Sequence, residues 1–92
     1  MLPTSSDNLE IPGGVTYPPV ITGNAVCNDI MIQDGGILTL NTGANFIASG
    51  NMHIGWGNSG TLILNGGTGE VVGTTTVNPG GIIHEYGGTF TP

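Results

Sequence analysis

Four glycine-centred turns recur along the chain at nearly even intervals, and this recurrence restricts the fold more than any other feature. "IPGG" ends at Gly14, "QDGG" at Gly36, "GNSG" at Gly60 and "NPGG" at Gly81, so the intervals are 22, 24 and 21 residues. After the last three turns come the runs "ILTLN", "TLILN" and "IIHEY"; before them stand "IMIQ", "IGWG" and "TTVN". Counting back six and four residues from each marker glycine gives Ile30 and Ile32, Ile54 and Trp56, then Thr75 and Val77. Counting forward two and four gives Leu38 and Leu40, then Leu62 and Leu64. Apolar residues at period two mark a strand with one buried face.

A unit of 20 to 30 residues built from short strands and turns cannot bury its apolar face alone, and does so by stacking on the next unit. No segment carries a helical period, and Gly, Pro and Asn break the chain too often for a helix of ordinary length. The expected fold is all-β: a parallel β-helix, or β-solenoid, of about four coils with roughly 22 residues in each and no helices. Residues 14–92 form the solenoid, and residues 1–13 precede it as an N-terminal arm or capping segment. Coils stacked in register at about 4.8 Å turn equivalent positions into ladders. The core ladders expected are Leu38 on Leu62, Leu40 on Leu64, Ile30 on Ile54, and Ile32 on Trp56 on Val77. Asn41 on Asn65 forms a turn ladder, in which stacked amides hydrogen-bond one another.

The register is less regular at the two ends. In the last coil the same offsets fall on Ile83 and Glu85. An inward Glu is costly, so a shift by one residue is expected, setting Ile82, His84 and Tyr86 on one face. In the first coil "VTYPPV" carries two prolines, which suit an edge or a bend.

Composition narrows the function. The chain has six acidic residues and no Lys or Arg, for a net charge of −6. Phosphate binding relies on basic side chains, so nucleic acid is a poor partner, and an anionic membrane surface is equally poor. There is no long apolar run to insert in a membrane, and trypsin-like proteases find no cleavage site. Glycine supplies 18 of 92 residues, far above the usual share of about 7%. With 37% hydrophobic residues and 7% charged, the chain is too apolar to stay solvated as a disordered segment. Cys27 stands alone and reads as a small buried hydrophobe.

Several short segments follow one another in an order that resembles a known family. "PTSSDNLEIP" spans Pro3 to Pro12, "YPPVI" Tyr17 to Ile21 and "AVCNDI" Ala25 to Ile30, and "GILTLN" follows. This order is similar to the glycine-rich β-solenoid repeats of large bacterial surface proteins, particularly those exported by the type IX secretion route. The likeness covers roughly residues 2–66. It implies an extracellular or cell-surface structural module with no catalytic residue.

Other residues carry side chains capable of chemistry. His53 lies seven residues before Gly60, whereas His84 lies three after Gly81, so the two fall on different sides of a coil and do not converge. Asp29 and Asp34 flank one strand, and calcium bridging acidic groups between subunits is the only cofactor they suggest. "GGTGEVVG" lacks the lysine and helix of a phosphate loop. Thr74, Thr75 and Thr76 have no matching Thr array in neighbouring coils. Trp56 and Tyr86 are candidates for a sugar-stacking surface, although Trp56 falls on the inward ladder.

A stack of coils leaves an open strand edge and a slice of core at each end, and solenoids ordinarily cover both. No amphipathic helix is available for this. The leading expectation is a non-enzymatic subunit of an extracellular filament that stacks head to tail on copies of itself, with strand addition by the N-terminal segment as a further contact. The interface residues expected are Leu9, Ile11, Val15, Tyr17, Ile82, Tyr86 and Phe90. The alternative is an adhesin-type glycan-binding or surface-binding module that is a slice of a larger β-helical protein.

Overall fold

The computed structural model describes residues 7–14, 19–56 and 59–91, with the backbone alone at Trp56. Among the described residues the chain forms ten strands and no helix. They are β1 (Leu9–Ile11), β2 (Val20–Ile21), β3 (Asn24–Cys27), β4 (Ile30–Gln33), β5 (Gly36–Asn41), β6 (Asn45–Ala48), β7 (Met52–Trp56), β8 (Gly60–Val71), β9 (Thr75–Val77) and β10 (Gly81–Thr91). All pairings are parallel. This is a β-solenoid of four coils with three strand segments in each.

One sheet has the order β1-β4-β7-β9, one strand from each coil. Its register runs Leu9, Ile30, Met52, Thr75 and Ile11, Ile32, Ile54, Val77. Successive coils are therefore 21, 22 and 23 residues apart along the first of these ladders. The second sheet continues around the rest of each coil. Its first segments stack as β2, β5, the start of β8 and the start of β10. Its second segments stack as β3, β6, the end of β8 and the end of β10.

The core fills the inside of the coils. Ile30, Ile32, Leu38, Leu40, Phe46, Met52, Ile54, Leu62 and Leu64 are all essentially solvent-free. No polar or charged residue is buried among the described residues. Leu38 stacks on Leu62, and Leu40 on Leu64. Strand β8 alternates between buried and more exposed residues on either side of a corner at Asn65–Gly66, where two exposed residues follow one another, as strand segments with one wet face should.

The marker glycines have a steric cause. Gly36, Gly60 and Gly81 are register partners, and each faces a carbonyl one coil below. A Cβ on Gly60 would stand 2.8 Å from the Ile32 oxygen, and one on Gly81 2.6 Å from the Ile54 oxygen. The repeat is thus written by close backbone approach at these sites; positive φ falls on their predecessors Gly35 and Gly80.

The first sheet differs from the expected register. Ile30 pairs with Met52, Ile32 with Ile54, and Gln33 with the Trp56 backbone. Ile30 therefore does not stack on Ile54, nor Ile32 on Trp56. The bulge after Ile54, where Gly55 takes φ +87°, adds one residue to this coil, and the step from Trp56 to Gly60 is one longer than that from Gln33 to Gly36, so counting back six from Gly60 falls two residues short of Met52. The Trp56 side chain lies outside the described residues.

Three end positions also differ. Leu9–Ile11 is the first rung of the solenoid, paired with β4, so the solenoid begins ahead of residue 14. Val77 continues the Ile54 ladder but is 47% exposed, because it belongs to the top coil and no described strand covers it. The last coil keeps its register: Ile83 lies on Leu62 and Glu85 on Leu64. The one-residue shift does not occur, since an end coil leaves Glu85 in water and removes the penalty that would drive it.

Candidate functional site

Two surfaces carry the unusual features of this chain: the open ends of the stack, and the corners where one coil passes to the next.

The lower end is formed by β1, β2 and β3, each paired only on its upper side among the described residues. Within this rim lies an apolar hollow of about 440 Å³, lined by Leu9, Ile11, Val20, Ile21, Ala25 and Phe46 among others. Ile11 is buried, Leu9, Ile21 and Ala25 are partly buried against the core, and Val20 is exposed. The upper end is formed by β9 and β10, paired only on their lower sides among the described residues. It presents Val77, Ile83 and Phe90, the last two partly buried against the core. Glu85 is exposed there, above Leu64.

One ladder alternates large and small side chains. Ala25, Phe46, Gly69 and Phe90 are successive register partners. The ring of Phe46 has only a methyl group below it and a hydrogen above it, while Phe90 rests over Gly69. Sequence reading missed this ladder because it compared the coils for likeness, and here they complement each other by difference.

The corners are held by side-chain oxygens reaching to the coil above. Asn8 Oδ1 accepts the Asp29 backbone N–H at 3.2 Å, Asp29 Oδ1 accepts that of Asn51 at 2.8 Å, and Asn51 Oδ1 accepts that of Thr74 at 2.9 Å. At another corner Asn65 Nδ2 donates to Asn41 Oδ1 at 3.2 Å, the contact expected of the Asn41–Asn65 pair. Asp34 Oδ1 accepts from Ser59 N–H and Ser59 Oγ. Asp29 and Asp34 thus serve as corner acceptors. Among the described residues no group of three or more His, Cys, Asp or Glu gathers as metal donors. The single signal for the corner ladder was the spacing of Asn8, Asp29 and Asn51, at 21 and 22 residues.

The remaining candidates are separated. His53 faces outward from the first sheet, where Glu10 and Met31 help line a groove of about 380 Å³. His84 and Tyr86 lie on the outer side of β10, with their rings stacked at 5.7 Å and 12°. Tyr86 is 71% exposed, and Ile82, beside Thr61, is also exposed. Ile82 and Tyr86 therefore belong to the flank and not to the end, whereas Leu9, Ile11 and Phe90 belong to the ends. Val15 and Tyr17 lie outside the described residues.

Cys27 is buried under Ala48. Burial, with the Asp29 carboxylate adding to it, pushes its thiol up to about 11. It is protonated and unreactive at neutral pH.

Comparison of the chain with family models, with curated proteins and with solved structures finds no match.

Proposed function

We propose that this chain is a non-enzymatic structural subunit of an extracellular or cell-surface filament, assembled by end-to-end stacking of β-solenoids. The observation that carries the proposal is the pair of open ends. Among the described residues each presents strand edges without a partner around a slice of apolar core, the condition under which one coil adds to another. The absence of Lys and Arg favours the same reading: like charges stacked every ~4.8 Å would repel along the axis. The surface location is supported by the resemblance of residues 2–66 to exported repeats.

Electron microscopy and fibre diffraction of the purified chain test this. Four coils per copy give an axial repeat of about 19 Å over a spacing of about 4.8 Å. Such a repeat is expected in unbranched fibres, and dispersed monomers at all concentrations would overturn the proposal.

The Tyr86–His84 pair favours a second reading, a glycan-binding module. Two nearly parallel exposed rings offer an apolar plane for a sugar face. Glycan-array binding that is lost in Tyr86→Ala, with monomers throughout, would select it over the first.

A further inference from the structure

The two ends are cut from the same ladders, so their fit can be read rung by rung. Extending the ladders one storey above β9 and β10 brings Ile11 of a second copy onto Val77, Ala25 onto Phe90, Asn24 onto Thr89, and Ile21 onto Glu85. Three of these rungs match as the interior rungs do. Ile11 on Val77 is apolar on apolar. Asn24 on Thr89 continues a polar ladder that already runs Asn24, Asn45, Thr68, Thr89. Ala25 on Phe90 preserves the alternation of small and large, because the chain holds one small–large pair and then another. The corner continues as well: Thr74 brings a hydroxyl oxygen to the place from which Asn8, Asp29 and Asn51 each reach upward.

The fourth rung does not match. Below it Leu40 and Leu64 are solvent-free, and the joint would enclose the Glu85 carboxylate between Leu64 and Ile21. The chain has no Lys or Arg to pair with it. The elements around it offer no relief. Its partner in β8 is Leu64, and Glu70, the one acid of β8, sits opposite Thr91. Strand β9 has no titratable group, and His53 of β7 faces outward from the first sheet. His84 and Tyr86 flank Glu85 on β10 but turn to the outer side. On the mating end Glu10 bonds to Gln33, and Cys27 is buried within its own coil.

We infer that the occupant of the upper end is the lower end of a second copy in this register, and that Glu85 makes the joint proton-sensitive. The inference rests on the end-to-end reading above. Enclosing an unpaired carboxylate favours its neutral form, so the joint strengthens as pH falls.

Sedimentation velocity of the 92-residue chain at about pH 7.5 and about pH 4.5 tests it, alongside Glu85→Gln, Glu70→Gln and Val77→Arg. Glu85 and Glu70 are exposed, so either change leaves the monomer folded, and Glu70→Gln removes the same net charge away from the joint. At the higher pH Glu85→Gln is expected to associate about tenfold more tightly than the parent or Glu70→Gln, and the gap closes at the lower pH. Val77→Arg is expected to stay monomeric at both. Assembly that ignores Val77→Arg, or a Glu85→Gln that behaves like Glu70→Gln, overturns this register and its gate while leaving end-to-end stacking intact. Absence of assembly in every variant at both pH values overturns the stacking reading itself, and this inference with it.

Discussion

Phe90 rests on Gly69, and the ring occupies the space that any side chain at that position would need. A Cβ on Gly69 would come within 3.1 Å of both Phe90 Cδ1 and Leu40 Cδ1. Leu40 is solvent-free and wedged between coils, so the displaced group would be Phe90, which lies at the end. Gly69→Leu is expected to lower the unfolding free energy by about 1–3 kcal/mol and to expose Phe90. Urea denaturation reads the first effect, and proton NMR of the Phe90 ring the second.

The two phenylalanines should differ although they share one ladder. Phe46 is fully enclosed, so Phe46→Ala leaves a cavity and costs about 3–5 kcal/mol. Phe90 belongs to the top coil and is only partly buried, so Phe90→Ala is expected to cost less than half of that. Equal losses would mean that the top coil is as enclosed as the interior.

Asp29 is a corner acceptor whose loss leaves the Asn51 N–H without its 2.8 Å partner. Asp29→Ala is expected to cost about 1 kcal/mol, whereas Asp29→Asn keeps an acceptor oxygen and should cost little. Both also remove the negative charge beside Cys27, which contributes to its raised thiol value, so titration of Cys27 in either variant is expected at lower pH than in the parent.

Cys27 links stability to alkaline pH. Its thiol moves from an ordinary 9.0 to about 11 on folding, so the folded state holds the proton more tightly than the unfolded chain. The resulting stability is fully present below pH 9 and is lost as pH rises toward 11. Thermal melts across that window should show a falling midpoint that Cys27→Ala removes. Iodoacetamide at neutral pH should leave the native protein unlabelled.

Much of the architecture was legible because the coil repeats what is hardest to replace. Gly36, Gly60 and Gly81 each face a carbonyl from the coil below, and the apolar pairs Leu38/Leu62 and Leu40/Leu64 follow at fixed distance. The first sheet is offset by two residues from the marker spacing because the bulge at Gly55 adds one residue and the step from Trp56 to Gly60 adds another. Met52 was passed over for the same reason, since the register that makes it a core residue was hidden. The last coil was misread because a buried Glu was assumed, when an end coil buries nothing at that rung. The Phe46 ladder was illegible to a search for similarity: its rungs read Ala, Phe, Gly, Phe.

That ladder sets the step by which such a protein can change length. Excising the third coil alone would lower Phe90 onto Phe46, two rings competing for one space, although the shortened chain would still show a glycine turn every 20-odd residues. Excising two adjacent coils would return a ring to a small neighbour. A loss of two adjacent coils therefore keeps each ring beside a small neighbour, whereas loss of the third coil alone carries a steric fault that counting repeats does not reveal.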